Sequence, residues 1–201
     1  MSWIVITVIV LLAAFGPLLW LRPSARDKRL NALRTQARHL DLNVDVKSLP
    51  TLNPTPTERV SAGGAARDHS RLLAVYSRIL PRRLRHVSGF RLLRAPAAGA
   101  PPISRGVVAI DVQWLFDPDQ QFPPSAGWPA VWQALAPLAS QLPDDVAAIS
   151  LEPRQIGVFW GEGAEHGVNL VADLAAVLEQ MANAVTALDE RLGTLERDGD
   201  S

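Results

Sequence analysis

Residues 3–21 read WIVITVIVLLAAFGPLLWL, nineteen positions without a charged side chain. No other stretch limits the possible folds so sharply. At about 1.5 Å rise per residue this run extends about 28 Å, close to the roughly 30 Å hydrocarbon core of a bilayer. In hydrocarbon the backbone must satisfy its own polar groups, so a single span must be a helix. Trp3 and Trp20 stand at the two ends, where indole rings favour the headgroup level, and Arg22, Arg26, Lys28, Arg29, Arg34 and Arg38 follow as a basic collar. The expectation is a transmembrane helix over residues 3–21, with the bilayer as its partner. A cleaved signal peptide fits less well. No basic residue precedes the run, and it ends Leu-Leu-Trp-Leu-Arg-Pro rather than in small residues. Six cations after the run and none before it place the N-terminus outside and the remainder in the cytoplasm.

The formal net charge of zero conceals a division. Residues 1–105 hold 17 Lys/Arg and 5 Asp/Glu, a balance of +12; residues 106–201 hold 3 and 15, a balance of −12. Charge asymmetry of this kind points to membrane or nucleic-acid contact by the basic half, or to pairing between the halves. Beyond the collar, a second basic cluster comprises Arg82, Arg83 and Arg85, with Arg91 and Arg94 further on. It carries no nucleic-acid-binding motif and few aromatic residues, so nucleic acid is disfavoured as a partner. The chain has no cysteine, which excludes disulfides, thiolate metal sites and cysteine nucleophiles.

Ser24 and Asp27 form an S-x-x-D capping pattern, which opens a basic juxtamembrane helix within residues 23–41. Its apolar stripe, Leu30, Leu33, Ala37 and Leu40, is narrow and lacks aromatics, so packing on a soluble domain is favoured over lying on lipid. Residues 42–105 form a basic strand-and-linker region. A strand is expected at 42–46, a proline- and glycine-containing linker over 48–69, and strands at 72–80 and 87–93 that form a hairpin through the basic turn. Residues 106–195 form an acidic α+β region. It is expected to hold a strand over 107–116, a helix over 130–142, a hairpin of 146–151 with 156–160, and an amphipathic helix from 168 to 192. With the strands from 70–95 this region makes one soluble domain. The fold class is α+β: an N-terminal transmembrane helix, a basic juxtamembrane helix, then a mixed or antiparallel sheet with packed helices.

Three constellations carry chemistry on paper. Glu162, Glu165 and His166 lie within five positions and form a candidate metal set, but the interleaved glycines favour a turn over a helical ligand face. Asp111, Asp117 and Asp119 lack the spacing and distal glutamate of a calcium loop. Trp128 and Trp132, four apart, could join the arginines of 82–94 in an interaction surface if exposed. No nucleophile elbow, phosphate-binding glycine loop or zinc-protease helix is present. No catalytic residue and no cofactor is therefore assigned, and the reading leans away from an enzyme.

Residues 3–40, with their N-terminal span, Arg22-Pro23 and basic helix, resemble the YajC family, the small accessory subunit of the bacterial Sec translocase. That resemblance implies an accessory role in a translocase or another membrane complex. Beyond residue 42 the chain departs from that family. The sequence reads best as a membrane-anchored cytosolic interaction or scaffold module that binds another membrane or cytosolic protein, ahead of the translocase role and of a metal-dependent enzyme.

Overall fold

A computed structural model of the chain describes residues 3, 7, 24–52, 70–96, 108–117, 127–163 and 167–199. Ser24 opens helix α1 (Ala25–His39) with the capping box its sequence announces: its hydroxyl accepts from the Asp27 N–H, and its own N–H donates to the Asp27 carboxylate. The helix closes on a Schellman arrangement. The N–H groups of Asp41 and Leu42 return to the carbonyls of Arg38 and Ala37, with Asp41 left-handed at φ 57°. Aspartate tolerates that conformation better than a branched residue would, and it aims the chain straight into the sheet.

The sheet has six strands, all antiparallel: β1 (Asn43–Pro50), β2 (Ser70–Ile79), β3 (Phe90–Arg94), β4 (Trp114–Phe116), β5 (Val146–Glu152) and β6 (Gln155–Trp160). They lie in the order β1-β2-β6-β5-β3-β4. Helices α1, α2 (Trp128–Ala139) and α3 (Val168–Gly199) share one core against one sheet face. That core joins Leu33 and Ala37 of α1, Val131 and Leu135 of α2, and Val171, Leu174, Leu178, Met181 and Val185 of α3. From the sheet it takes Tyr76, Leu92, Trp114, Ile149, Val158 and Trp160. The intervening positions Leu49, Val75, Leu93, Ala148 and Phe159 form a smaller buried cluster on the opposite face, as strand alternation requires. A bulge between Val146 and Ala148 resets that alternation, so that Val146 and Ile149, three apart, both reach the helical core.

The structure departs from the sequence reading in four places. The expected N-terminal transmembrane helix is corrected as an element of the fold class. Among the described residues, the helix long and apolar enough to cross a membrane is α3, over Val168–Leu195 on the C-terminal side. Its apolar residues recur at three- and four-residue steps and are consumed by the core, while Asp173 and Glu179 face out, so the same composition serves a packed amphipathic helix. Residues 3–21 lie outside the described residues apart from Trp3 and Thr7. Both are helical, and the Thr7 hydroxyl donates to the Trp3 carbonyl at 2.9 Å.

The expected β2–β3 hairpin does not form. The β5–β6 hairpin inserts between the two strands, so β2 pairs with β1 and β6, and β3 with β5 and β4. The expected strand over 107–116 shrinks to Trp114–Phe116. Asp111 accepts from the N–H groups of Gln113 and Trp114 and folds the segment back on itself, with a bridge between Ala109 and Leu115. Strand β1, by contrast, runs to Pro50 instead of stopping at 46.

Candidate functional site

The basic cluster of residues 82–94 is not one surface. Arg91 donates to the buried Asp117 at 2.9 Å and lies over the Phe159 ring, 5.5 Å from its centre. Arg94 pairs with Asp144 at 3.1 Å and stacks over Trp114 at 5.0 Å. Trp128 and Trp132 are half-buried. Trp128 packs edge-on to Phe90 at 5.0 Å and against Phe116 at 4.6 Å, with Trp132 stacked behind it at 6.4 Å. These indoles close the core beside α2; the structure does not join them to Arg82, Arg83 and Arg85.

The cluster that remains sits in the β2–β3 loop and turns towards the last third of α3. Asp189 organises it. One carboxylate oxygen, Oδ1, accepts from the N–H groups of Arg85, His86 and Val87 at 3.0, 2.7 and 2.9 Å. Three successive amides converging on one acceptor make an anion nest, here filled by the chain's own carboxylate. Asp189 is 2% exposed. Burial alone raises its carboxyl, but the Val87, His86 and Arg85 amides and the Arg82 charge outweigh that and hold it below the usual 3.8. Arg82 spans Asp189 and Glu190 at 3.5 and 3.3 Å and donates to the Thr186 carbonyl. His86 lies against the α3 backbone, where a Cβ on Gly193 would come within 2.6 Å of its Nε2.

Above this floor opens a cleft of about 1290 Å³ whose rim includes Arg83, Arg85 and Arg154. Arg154 arrives from the β5–β6 turn; the Leu80 and Leu84 N–H groups donate to the Arg154 and Pro153 carbonyls and fasten the loop to that turn. The three rim arginines are exposed, and none has an ion pair among the described residues. The sequence signals Arg83 and Arg85. It gives no hint of Arg154, the lone basic residue of a hairpin turn more than 65 positions away.

A second polar centre lies at the other end of the sheet. Arg34 grips both carboxylate oxygens of Glu162 at 3.2 and 3.1 Å, and the Tyr76 hydroxyl donates to Oε1 at 2.8 Å. Arg29 donates to the Glu162 carbonyl at 2.9 Å and to the Gly163 carbonyl, and the Gly163 N–H donates to Asp145. Glu162 is held at φ 50°. Burial and the Glu162 carboxylate push the Tyr76 phenol well above its ordinary 10, and the same carboxylate raises Arg34. Glu162 is thereby a clasp between α1 and the sheet, and a metal would have to displace Arg34 and Tyr76 to reach it. Glu165 and His166 lie outside the described residues, as do Trp20, Arg22 and Asp119. Of the collar, Arg26 and Lys28 are exposed, whereas Arg29 turns into the domain.

Seven ion pairs among the described residues each join a cation from residues 1–105 to an anion from residues 106–201. The charge division in the sequence is therefore partly an internal complementarity; the rim arginines, like the exposed Arg26, Lys28, Arg38, Arg71 and Arg191, have no ion pair among the described residues. No family model matches the chain, and neither the curated proteins nor the solved structures include a match.

Proposed function

We propose that the protein is an interaction module at a bacterial inner membrane that offers the arginine cleft to another protein on the cytoplasmic side. The observation that carries this reading is the cleft itself: Arg83, Arg85 and Arg154, three exposed arginines without ion pairs among the described residues, gather at one rim. The basic flank of residues 22–38 supports the location, because clustered cations are drawn to an anionic membrane surface. The geometry of α1 supports the direction. Ser24 lies at the Glu162 end of the sheet, and α3 travels from that end to Asp189, about 30 Å at 1.5 Å per residue. The cleft thus faces away from the point where the chain joins the fold. An accessory role in a translocase rests on residues 3–40 alone and would be one case of the same reading.

Photo-crosslinking amino acids placed at Arg83 and Arg154, with exposed Asp45 on strand β1 as the control, test the proposal in intact cells. A discrete protein adduct from the cleft positions and not from Asp45 is expected. The same adducts from all three positions, or none from any, would refute it.

A further inference from the structure

The lining of the cleft narrows the chemistry of what it accepts, an inference that rests on the interaction reading above. Four arginines, Arg82, Arg83, Arg85 and Arg154, face two carboxylates, Asp189 and Glu190, which leaves a balance of +2. Three kinds of anion could be drawn to such a place, and they make different demands.

A free phosphate or nucleotide would seek converging backbone amides. The loop provides them at Arg85, His86 and Val87, but Asp189 already fills that position. A nucleic acid needs a run of cations tracking successive phosphates, with aromatic rings for stacking if it is single-stranded. The cleft has no Phe, Tyr or Trp in its lining, and Glu190, 59% exposed at the side chain, would meet a phosphate chain with like charge. A lipid headgroup would have to reach the pole opposite Ser24, beyond the roughly 8 Å over which surface charge acts in physiological salt.

A carboxylate-bearing segment meets none of these obstacles. The cleft already shows how it treats one: Arg82 spans the consecutive acids Asp189 and Glu190 of α3, and the loop amides close over the first of them. Guanidinium forks match carboxylates geometrically, and Arg83, Arg85 and Arg154 present the same chemistry outwards. We propose that the cleft binds an acidic segment of a partner polypeptide, with Arg83, Arg85 and Arg154 as the carboxylate-binding residues.

The test uses the full chain in detergent and a fluorescein-labelled deca-glutamate peptide followed by anisotropy. Binding is expected that weakens as salt rises from 50 to 200 mM and falls by about tenfold or more in the triple variant R83Q/R85Q/R154Q, given the modest contribution of each exposed pair. All three side chains are exposed, so the variant should keep its fold, and an unchanged circular dichroism spectrum checks that. Equal affinity in the variant, or no peptide binding at all, would overturn the proposal. So would tighter binding, through the same arginines, of a single-stranded DNA decamer or of vesicles rich in anionic lipid. A protein crosslink from the cleft without peptide affinity would remove the acidic partner and leave the interaction reading standing; loss of the crosslink itself would remove that reading.

Discussion

Replacing Asp189 by alanine tests whether a single buried carboxylate holds the β2–β3 loop against α3. The substitution strips three amides of their acceptor. The Val87 N–H is buried, so losing its partner costs about 1–3 kcal/mol. The Arg85 and His86 amides are nearer water and recover part of their hydrogen bonding, adding roughly 0.5 kcal/mol each. Arg82 also loses one of its two partners on α3, a partly exposed pair contributing at most about 1 kcal/mol. The expected loss is about 3 kcal/mol, or about 6–12 °C in Tm for a chain of this length. Guanidinium denaturation followed at 222 nm measures it.

The pH dependence has a definite sign. The folded carboxyl lies below its unfolded value of 3.8, so its contribution is complete above that pH and fades as pH falls through the folded pKa. The gap between wild type and D189A is therefore full at pH 7 and narrows below about pH 4. D189N retains an oxygen for the amides and should lose about half as much, because charge-assisted bonds are about twice as strong as neutral ones. A D189A protein within about 1 kcal/mol of wild type would show that the loop amides find water freely and would refute the reasoning.

Four further outcomes are expected. The chain has a single tyrosine, so absorbance at 295 nm titrates Tyr76 alone; tyrosinate should appear only well above pH 10 or on unfolding, and stability should fall as pH rises past about 10, where the unfolded phenol ionises first. Arg34→Met should cost about 1–2 kcal/mol in chemical denaturation, discounted because the Arg34 side chain is one-third exposed while that of Glu162 is 9% exposed. Gly89→Ala places a Cβ 2.9 Å from the Leu151 carbonyl oxygen at the β3–β5 pairing and should destabilise by about 1–3 kcal/mol in the same assay. On the proposed topology, a green fluorescent protein fused at the carboxyl end should fluoresce; an active alkaline phosphatase fusion at that position would contradict the proposed cytoplasmic location.

The candidate site was half legible. Arg83 and Arg85 stand together in the sequence and attract notice, but Arg91 and Arg94, equally basic neighbours, are spent on Asp117 and Asp144. Strand alternation explains part of this. Arg91 points to the sheet face away from the helices and Arg94 towards Trp114, so two arginines three apart cannot share a surface. Glu162 drew attention as a metal ligand because two acids and a histidine lie close in sequence. Its use as a clasp depends on Arg34 and Tyr76, 128 and 86 positions away.

What the sequence determined by itself was local. The Ser24–Asp27 cap, the periodic face of α3 and the β5–β6 hairpin depend on interactions within a few residues, and each has the same free-energy preference in any fold that keeps it. The opposite charges of the two halves were also plain, but not their pairing. Only tertiary structure decided that the β5–β6 hairpin separates β2 from β3, that Asp189 fills the loop amides and that Arg154 reaches the same cleft. Those arrangements follow from how three helices and both sheet faces bury their apolar side chains together, a condition set by the whole chain and by no single stretch of it.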